Sequence, residues 1–220
     1  MGSREEQVRA MPAEGQVWAV VLAAGEGRRM LAGRSTLPKP VLPVEGEPMV
    51  RRVVRRALEA GVDGVVVVAG AAAGEVLEAL HGLDVERLRV LYNADWQRGM
   101  STSLRAGVFA LPAEAACALV LLADQPAVTG ELLRKVVEAS RGAPAAACRY
   151  PGGHLGPPCV LDRSTWPALR EIAGDQGARK VLASLGARVQ AVEAPEAELA
   201  DVDTPEDLVR VAPGSSHQGP

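Results

Sequence analysis

The chain passes from an apolar run, residues 17–22, directly into the string AAGEG, and this junction constrains its fold more than any other feature. A run this short and rich in β-branched valine reads as a buried strand. The small residues after it leave room for a ligand to approach the main chain, and glycines let successive N–H groups turn inward towards an anion. Arg29 and Lys39 follow, and Lys39 stands between Pro38 and Pro40, whose fixed φ stiffens the segment that presents the ammonium. The combination predicts a triphosphate-binding loop at the end of a strand. Two familiar phosphate loops are excluded. No G-x-x-x-x-G-K-[ST] string exists, and the third position of a G-x-G-x-x-G fingerprint falls on Met30.

The alternation of strand and helix continues along the chain. Residues 46–60 have helical spacing, with Met49, Val50, Val53, Val54, Ala57 and Leu58 on one stripe and Arg51, Arg52, Arg55 and Arg56 on the other faces. These arginines read as a solvated face. Strands are expected at 64–69, 87–91, 118–123, 144–148, 159–161 and 187–192. Further helices are expected at 75–81, 99–111, from near Thr129, and at 164–172 with Ser164 or Thr165 as cap. Thr204 and Pro205 make a last helix start, with acids near its positive end. This pattern predicts a single three-layer α/β/α domain with a mainly parallel, Rossmann-like sheet. Its bounds are set at 16–212, with residues 1–15 and 213–220 as mobile tails. Ligands of open α/β sheets collect at the carboxyl ends of the strands. Asp124, which closes the 118–123 run, and the string GMSTSL at 99–104, where a loop enters a helix, are therefore candidate site elements.

A chain of 220 residues that is 48% hydrophobic can bury one full core, and with 3% aromatics Val, Leu and Ala must fill it. The net charge of −3 argues against general nucleic-acid affinity. No apolar run approaches the ~20 residues that cross a bilayer, and the charged N-terminus has no apolar signal core. Cys117, Cys148 and Cys159 lack metal-ligand spacing, and Cys117 and Cys148, beside or within apolar runs, read as small buried hydrophobes. A reduced, cytoplasmic enzyme is expected, without a nucleic-acid or membrane partner.

LAAGEGRRM followed by LPKPVLPVEGEP resembles the opening of nucleotidyltransferases with the glycosyltransferase-A-like fold. GMSTSLRAG, LADQP and DVDTPEDL resemble later strings of the molybdenum cofactor cytidylyltransferase-like (MobA-like) family, so the likeness spans residues 17–211. It implies that Leu22, Ala23, Ala24, Gly25 and Gly27 lie along a nucleotide, with Gly70, Ser101 and Ser103 also beside it. It implies that Arg29 contacts the phosphates and that Lys39 is the catalytic lysine. Asp124 would hold Mg²⁺, with a second carboxylate from Asp203 or Asp201, Asp203 being preferred.

The implied reaction moves CMP from CTP to molybdopterin and releases pyrophosphate, with transient contact to a molybdoenzyme. LAAG, in place of the LAGG of guanylyltransferase relatives, points to CTP. The ten-residue step from Arg29 to Lys39 looks more like sugar-1-phosphate nucleotidyltransferases. A sugar-1-phosphate or polyol-phosphate enzyme is therefore the alternative, with a non-catalytic cofactor carrier as a third reading. GDQGAR at 174–179 also recurs in the relatives, and Asp175 and Arg179 either contact the acceptor or form a surface ion pair. His154 reads as a solvated loop residue. The whole reading requires Lys39 and Asp124 to reach one triphosphate.

Overall fold

The computed structural model describes residues 15–27, 37–83 and 86–211. Arg29 and both expected tails, apart from Gly15, lie outside them. Among the described residues, seven strands form one sheet: β1 (Gln16–Ala23), β4 (Gly64–Ala69), β5 (Leu88–Tyr92), β6 (Ala115–Leu122), β7 (Ala145–Arg149), β8 (Leu155–Asp162) and β9 (Val189–Glu193). Their order is β5-β4-β1-β6-β8-β7-β9. Every neighbouring pair is parallel except those made by β8, which runs antiparallel to β6 and β7. The mainly parallel sheet expected from the buried apolar runs is present.

Successive residues of a strand face opposite sides of a sheet, and β1 divides its side chains accordingly. Ala19, Val21 and Ala23 join one core, with Val50, Val53, Val54 and Ala57 of α1 (Met49–Glu59), Val76 of α2 (Ala73–Ala79) and Leu132, Leu133 and Val136 of α4 (Gly130–Ala139). Trp18 and Val20 join the other core. It contains Leu104 and Val108 of α3 (Met100–Phe109), Trp166 and Leu169 of a 3₁₀ segment (Arg163–Glu171) and Val181 and Leu182 of α5 (Ala178–Leu185). Helices therefore cover both faces of the sheet. A last helix, α6 (Pro205–Val211), follows β9.

Four local expectations are corrected. The helix expected from residue 46 begins at Met49, because β2 (Pro43–Val44) and β3 (Glu47–Pro48) form a small antiparallel hairpin before it. Its two turn residues, Glu45 (φ 52°) and Gly46 (φ 80°), both have positive φ, as a two-residue hairpin turn requires. The arginines of α1 are not a solvated face. Arg52 pairs with Glu45 at 2.8 Å, Arg55 with Glu47 at 2.8 Å and with Glu59 at 2.5 Å, and Arg51 donates to the carbonyls of Ala79 and His81. They fasten the hairpin and the end of α2 to α1. The segment 164–172 is a 3₁₀ helix containing Pro167, and its cap is Asp162, whose carboxylate accepts from Ser164 N at 2.9 Å. Helix α5 had no counterpart in the sequence reading. It is only eight residues long, and the glycines before it read as loop.

The three cysteines are free and buried in β6, β7 and β8, as expected for Cys117 and Cys148. Burial pushes the thiols of Cys117 and Cys148 up to about 11 and about 12.

Candidate active site

The carboxyl ends of β1 and β6 lie side by side where the sheet order reverses. From β1 the chain proceeds outward through β4 and β5, then returns to β1's other side with β6. Such a switch point leaves a crevice above the strand ends. A cavity of about 370 Å³ occupies it, lined by Leu22, Ala23, Gly25, Gly27, Lys39, Pro40, Ala123, Asp124 and Asp203. Two further hollows meet it at Asp124. One, about 630 Å³, is lined in part by Glu26, Trp96, Gln97, Gly99 and Met100. The other, about 470 Å³, includes Pro157, Asp175, Arg179, Lys180 and Asp201.

Lys39 is the centre of this arrangement. It opens a single 3₁₀ turn, Lys39–Val41, entered from the extended Pro38. Its alkyl stem lies across Gly27 so closely that a β-carbon added there would stand 2.5 Å from Lys39 Cβ; Gly27 also has a φ of +65°. Both constraints exclude a side chain at position 27. The ammonium then reaches down to two carboxylates, donating to Asp124 Oδ2 at 2.6 Å and Asp203 Oδ1 at 2.7 Å. Only 12% of the lysine side chain is exposed, against 31% and 38% for its partners. Burial works against the ammonium's charge, but Asp124 and then Asp203 outweigh it and hold the group above its ordinary value.

The two aspartates come from distant segments that the backbone ties together. Val202 N donates to Asp124 O at 2.9 Å, so the C-terminal segment continues the end of β6. Gln125, 1% exposed, secures the same junction through its side-chain amide nitrogen, which lies 2.7 Å from Tyr150 Oη, 3.0 Å from Asp201 Oδ1 and 3.2 Å from Leu199 O. Asp207, at the start of α6, accepts from Asp203 N at 2.9 Å and Thr204 N at 2.8 Å. Burial, and then the charge of Asp124, pushes the Asp201 carboxyl up.

Sequence reasoning missed Gln125 as a tether, although a fully polar residue beside Asp124 at the end of an apolar strand was the signal available. It also gave Asp207 only a helix-end role. Trp96 and Gln97, to which the sequence reading gave no role, line the larger hollow.

The remaining expected site residues separate into two groups. Leu22, Ala23, Gly25 and Gly27 line the cavity, and Ala24 lines the larger hollow. Gly70 lies behind the loop, where an added β-carbon would meet Ala24 O at 2.6 Å and Trp96 Cβ at 2.8 Å, so its smallness serves packing.

Ser101 and Ser103 are turned into the fold, contrary to the expected ribose contact. Ser103 Oγ accepts from Asn93 Nδ2 at 2.9 Å, and Ser101 Oγ is buried without a hydrogen-bond partner. The reason is packing. The face of α3 carrying Leu104, Gly107 and Val108 packs on the sheet, and Ser101, Thr102 and Ser103 of the first turn are all buried. This string reaches the hollow through Gly99 and Met100 instead. His154 stacks on Tyr150 at 4.8 Å between ring centroids, and Arg179 lies over the same tyrosine at 5.2 Å.

Two carboxylates converging on one cation, beside a glycine loop and a cavity at the strand ends, form a donor set suited to a hard divalent ion. Such an ion takes one or two carboxylates and fills its other positions with phosphate oxygens and water. In this structure the Lys39 ammonium occupies both carboxylates. Among the described residues there is no group of three or more His, Cys, Asp or Glu that could hold a metal.

Fold and site together define a nucleotidyltransferase. The chain belongs to the family of the MobA-like NTP transferase domain, which matches residues 19–190. A nicotine blue oxidoreductase from Paenarthrobacter nicotinovorans is 31% identical over 203 residues, covering 89% of this chain and 96% of that protein. Among solved structures, a nucleotidyl transferase from Methanothermobacter thermautotrophicus superposes with a TM-score of 0.77 at 31% identity, covering 90% and 96% of the two chains. Rv0371c of Mycobacterium tuberculosis, solved as a complex with manganese, gives 0.70 at 29% identity, covering 90% and 98%.

Proposed function

We propose that this enzyme transfers CMP from CTP to molybdopterin, releasing pyrophosphate. The observation that carries the reading is the placement of Lys39 between Asp124 and Asp203, at the edge of a loop whose small residues line the cavity. A phosphate oxygen of the acceptor attacks the α-phosphorus. The new P–O bond forms as the bond from that phosphorus to the bridging oxygen of the β-phosphate breaks, and the electron pair leaves on pyrophosphate. A phosphate monoester is already anionic near neutral pH, with a second pKa of about 6, so no general base is needed.

The work of the site is to hold two polyanions together and to spread charge on the leaving group. The loop around Gly25 and Gly27 offers main-chain room for the triphosphate, and the Lys39 ammonium stabilises charge as it develops, with Arg29 as the second cation the resemblance implies. Asp124 and Asp203 would hold Mg²⁺, which would supply charge neutralisation of phosphate oxygens and orientation of the reacting groups. The hollow lined by Trp96, Gln97 and Gly99 takes the base and ribose. The hollow lined by Arg179 and Lys180 takes the anionic acceptor. Transient contact with a molybdoenzyme follows from a product destined for one, and a cytoplasmic setting is consistent with the absence of a membrane-crossing helix among the described residues.

The test is a matrix of nucleoside triphosphates against acceptors, molybdopterin, sugar-1-phosphates and polyol phosphates included, read as pyrophosphate released. CTP with molybdopterin should give the highest kcat/KM. Release with a sugar-1-phosphate alone would overturn the acceptor, and no release with any pair would overturn the reaction. Lys39→Ala should lower kcat by about 10²–10³, the typical loss for one preorganised electrostatic group. A variant that kept wild-type turnover would remove Lys39 from the chemistry.

A further inference from the structure

A metal ion held by Asp124 and Asp203 would compete for the two carboxylates that the Lys39 ammonium already occupies. Nζ lies 2.6 Å from one carboxylate and 2.7 Å from the other. A magnesium-sized cation binds oxygen at about 2.0–2.1 Å, so it would need carboxylate oxygens that the ammonium now holds. The two cations exclude each other by volume and by charge.

Displacing the ammonium has its own cost. The side chain is 12% exposed, its stem is confined against Gly27, and a buried ammonium without a partner is strongly disfavoured. Solvent therefore offers it little compensation. The new partner it needs lies within its own cavity, on the phosphates of an incoming nucleotide.

We propose that Lys39 acts as a resident counter-ion which makes metal binding conditional on nucleotide. In the nucleotide-free protein it neutralises Asp124 and Asp203 and keeps them in place. When the triphosphate arrives, Lys39 transfers to its phosphates and vacates the carboxylates, so ion and nucleotide load as a unit. The same side chain that serves the chemistry thereby keeps the empty site from trapping free divalent ions. This inference rests on the nucleotidyl-transfer reading for the identity of the anion, but the exclusion itself depends only on the three side chains.

The experiment is Mn²⁺ binding to the whole protein without nucleotide or acceptor, measured by the EPR signal of the free ion. Wild type, Lys39→Met and the double variant Lys39→Met/Asp124→Asn are compared. Lys39→Met should bind Mn²⁺ at least about tenfold more tightly than wild type, and the double variant should lose that gain. Equal or weaker binding by Lys39→Met overturns the proposal, as does a gain that survives in the double variant. If methionine is not tolerated, Lys39→Gln removes the charge while keeping a donor, and the same comparison applies. Because no turnover is involved, the outcome is separate from whether pyrophosphate is ever released.

Discussion

Replacing Gly107 by alanine sets two effects of opposite sign against each other. Gly107 lies inside α3, where alanine is favoured over glycine by about 1 kcal/mol in an exposed helix. Here, however, the added β-carbon would stand 2.4 Å from Val20 Cγ1 and 2.8 Å from Val68 Cγ2. Both valines are fully buried and belong to adjacent strands, β1 and β4, so neither can swing aside into solvent. Overpacking of this kind costs about 1–3 kcal/mol, and the net expectation is a loss of up to about 2 kcal/mol. In a domain of this size each kcal/mol corresponds to about 2–4 °C in Tm.

Urea denaturation with an unchanged slope would read the loss directly. The same displacement would move Gly99 and Met100 at the other end of the helix, so KM for the nucleotide should rise while Asp124 and Asp203 are untouched. A Gly107→Ala protein more stable than wild type by about 1 kcal/mol would refute the close approach of α3 to the sheet.

Two other perturbations probe the site and the core. Arg179→Ala should raise KM for the acceptor by about 10–100-fold, the equivalent of one charge-assisted contact of about 1.5–3 kcal/mol, with KM for the nucleotide unchanged; Arg179→Lys should recover part of the loss. An unaltered acceptor KM would assign the guanidinium to Tyr150 alone. For the thiols, burial raises Cys117 to about 11 and Cys148 to about 12. A raised pKa keeps a thiol protonated below it, so at pH 8 a chromogenic disulfide reagent should label the native protein at least about 100-fold more slowly than the protein unfolded in guanidinium. Prompt labelling of native protein at pH 8 would contradict the buried placement of these strands.

The sheet was legible because its strands are short apolar runs whose composition suits burial on both faces. Residues 64–69 were read to the residue as β4. What escaped was structure whose cause is tertiary. Strand β8 begins within a Gly/Pro-rich segment and holds its course because β6 and β7 flank it. The hairpin before α1 is written in two positive-φ residues that interrupt an otherwise helical pattern.

The site was legible through resemblance more than through periodicity. Lys39, Asp124 and Asp203 could be named singly, but nothing local says that one ammonium would bind both carboxylates. GMSTSLRAG shows the opposite failure. Its serines and its last glycine suggest ligand contact, yet Ser103 bonds to Asn93 and Gly107 is a contact surface for two valines. A recurrent string can record helix packing as well as chemistry.

The tie between Val202 and the end of β6 bears on how the enzyme comes into being. Lys39 and Asp203 are 164 residues apart, and β9, the last strand, ends at Glu193. A nascent chain emerging from the ribosome can therefore assemble its entire sheet and its glycine loop before the second carboxylate has left the exit tunnel. Contacts of such long sequence separation form late, so the pairing of Lys39 with Asp203 follows assembly of the sheet, and a fragment ending near residue 198 would be folded in its sheet yet lack the second carboxylate.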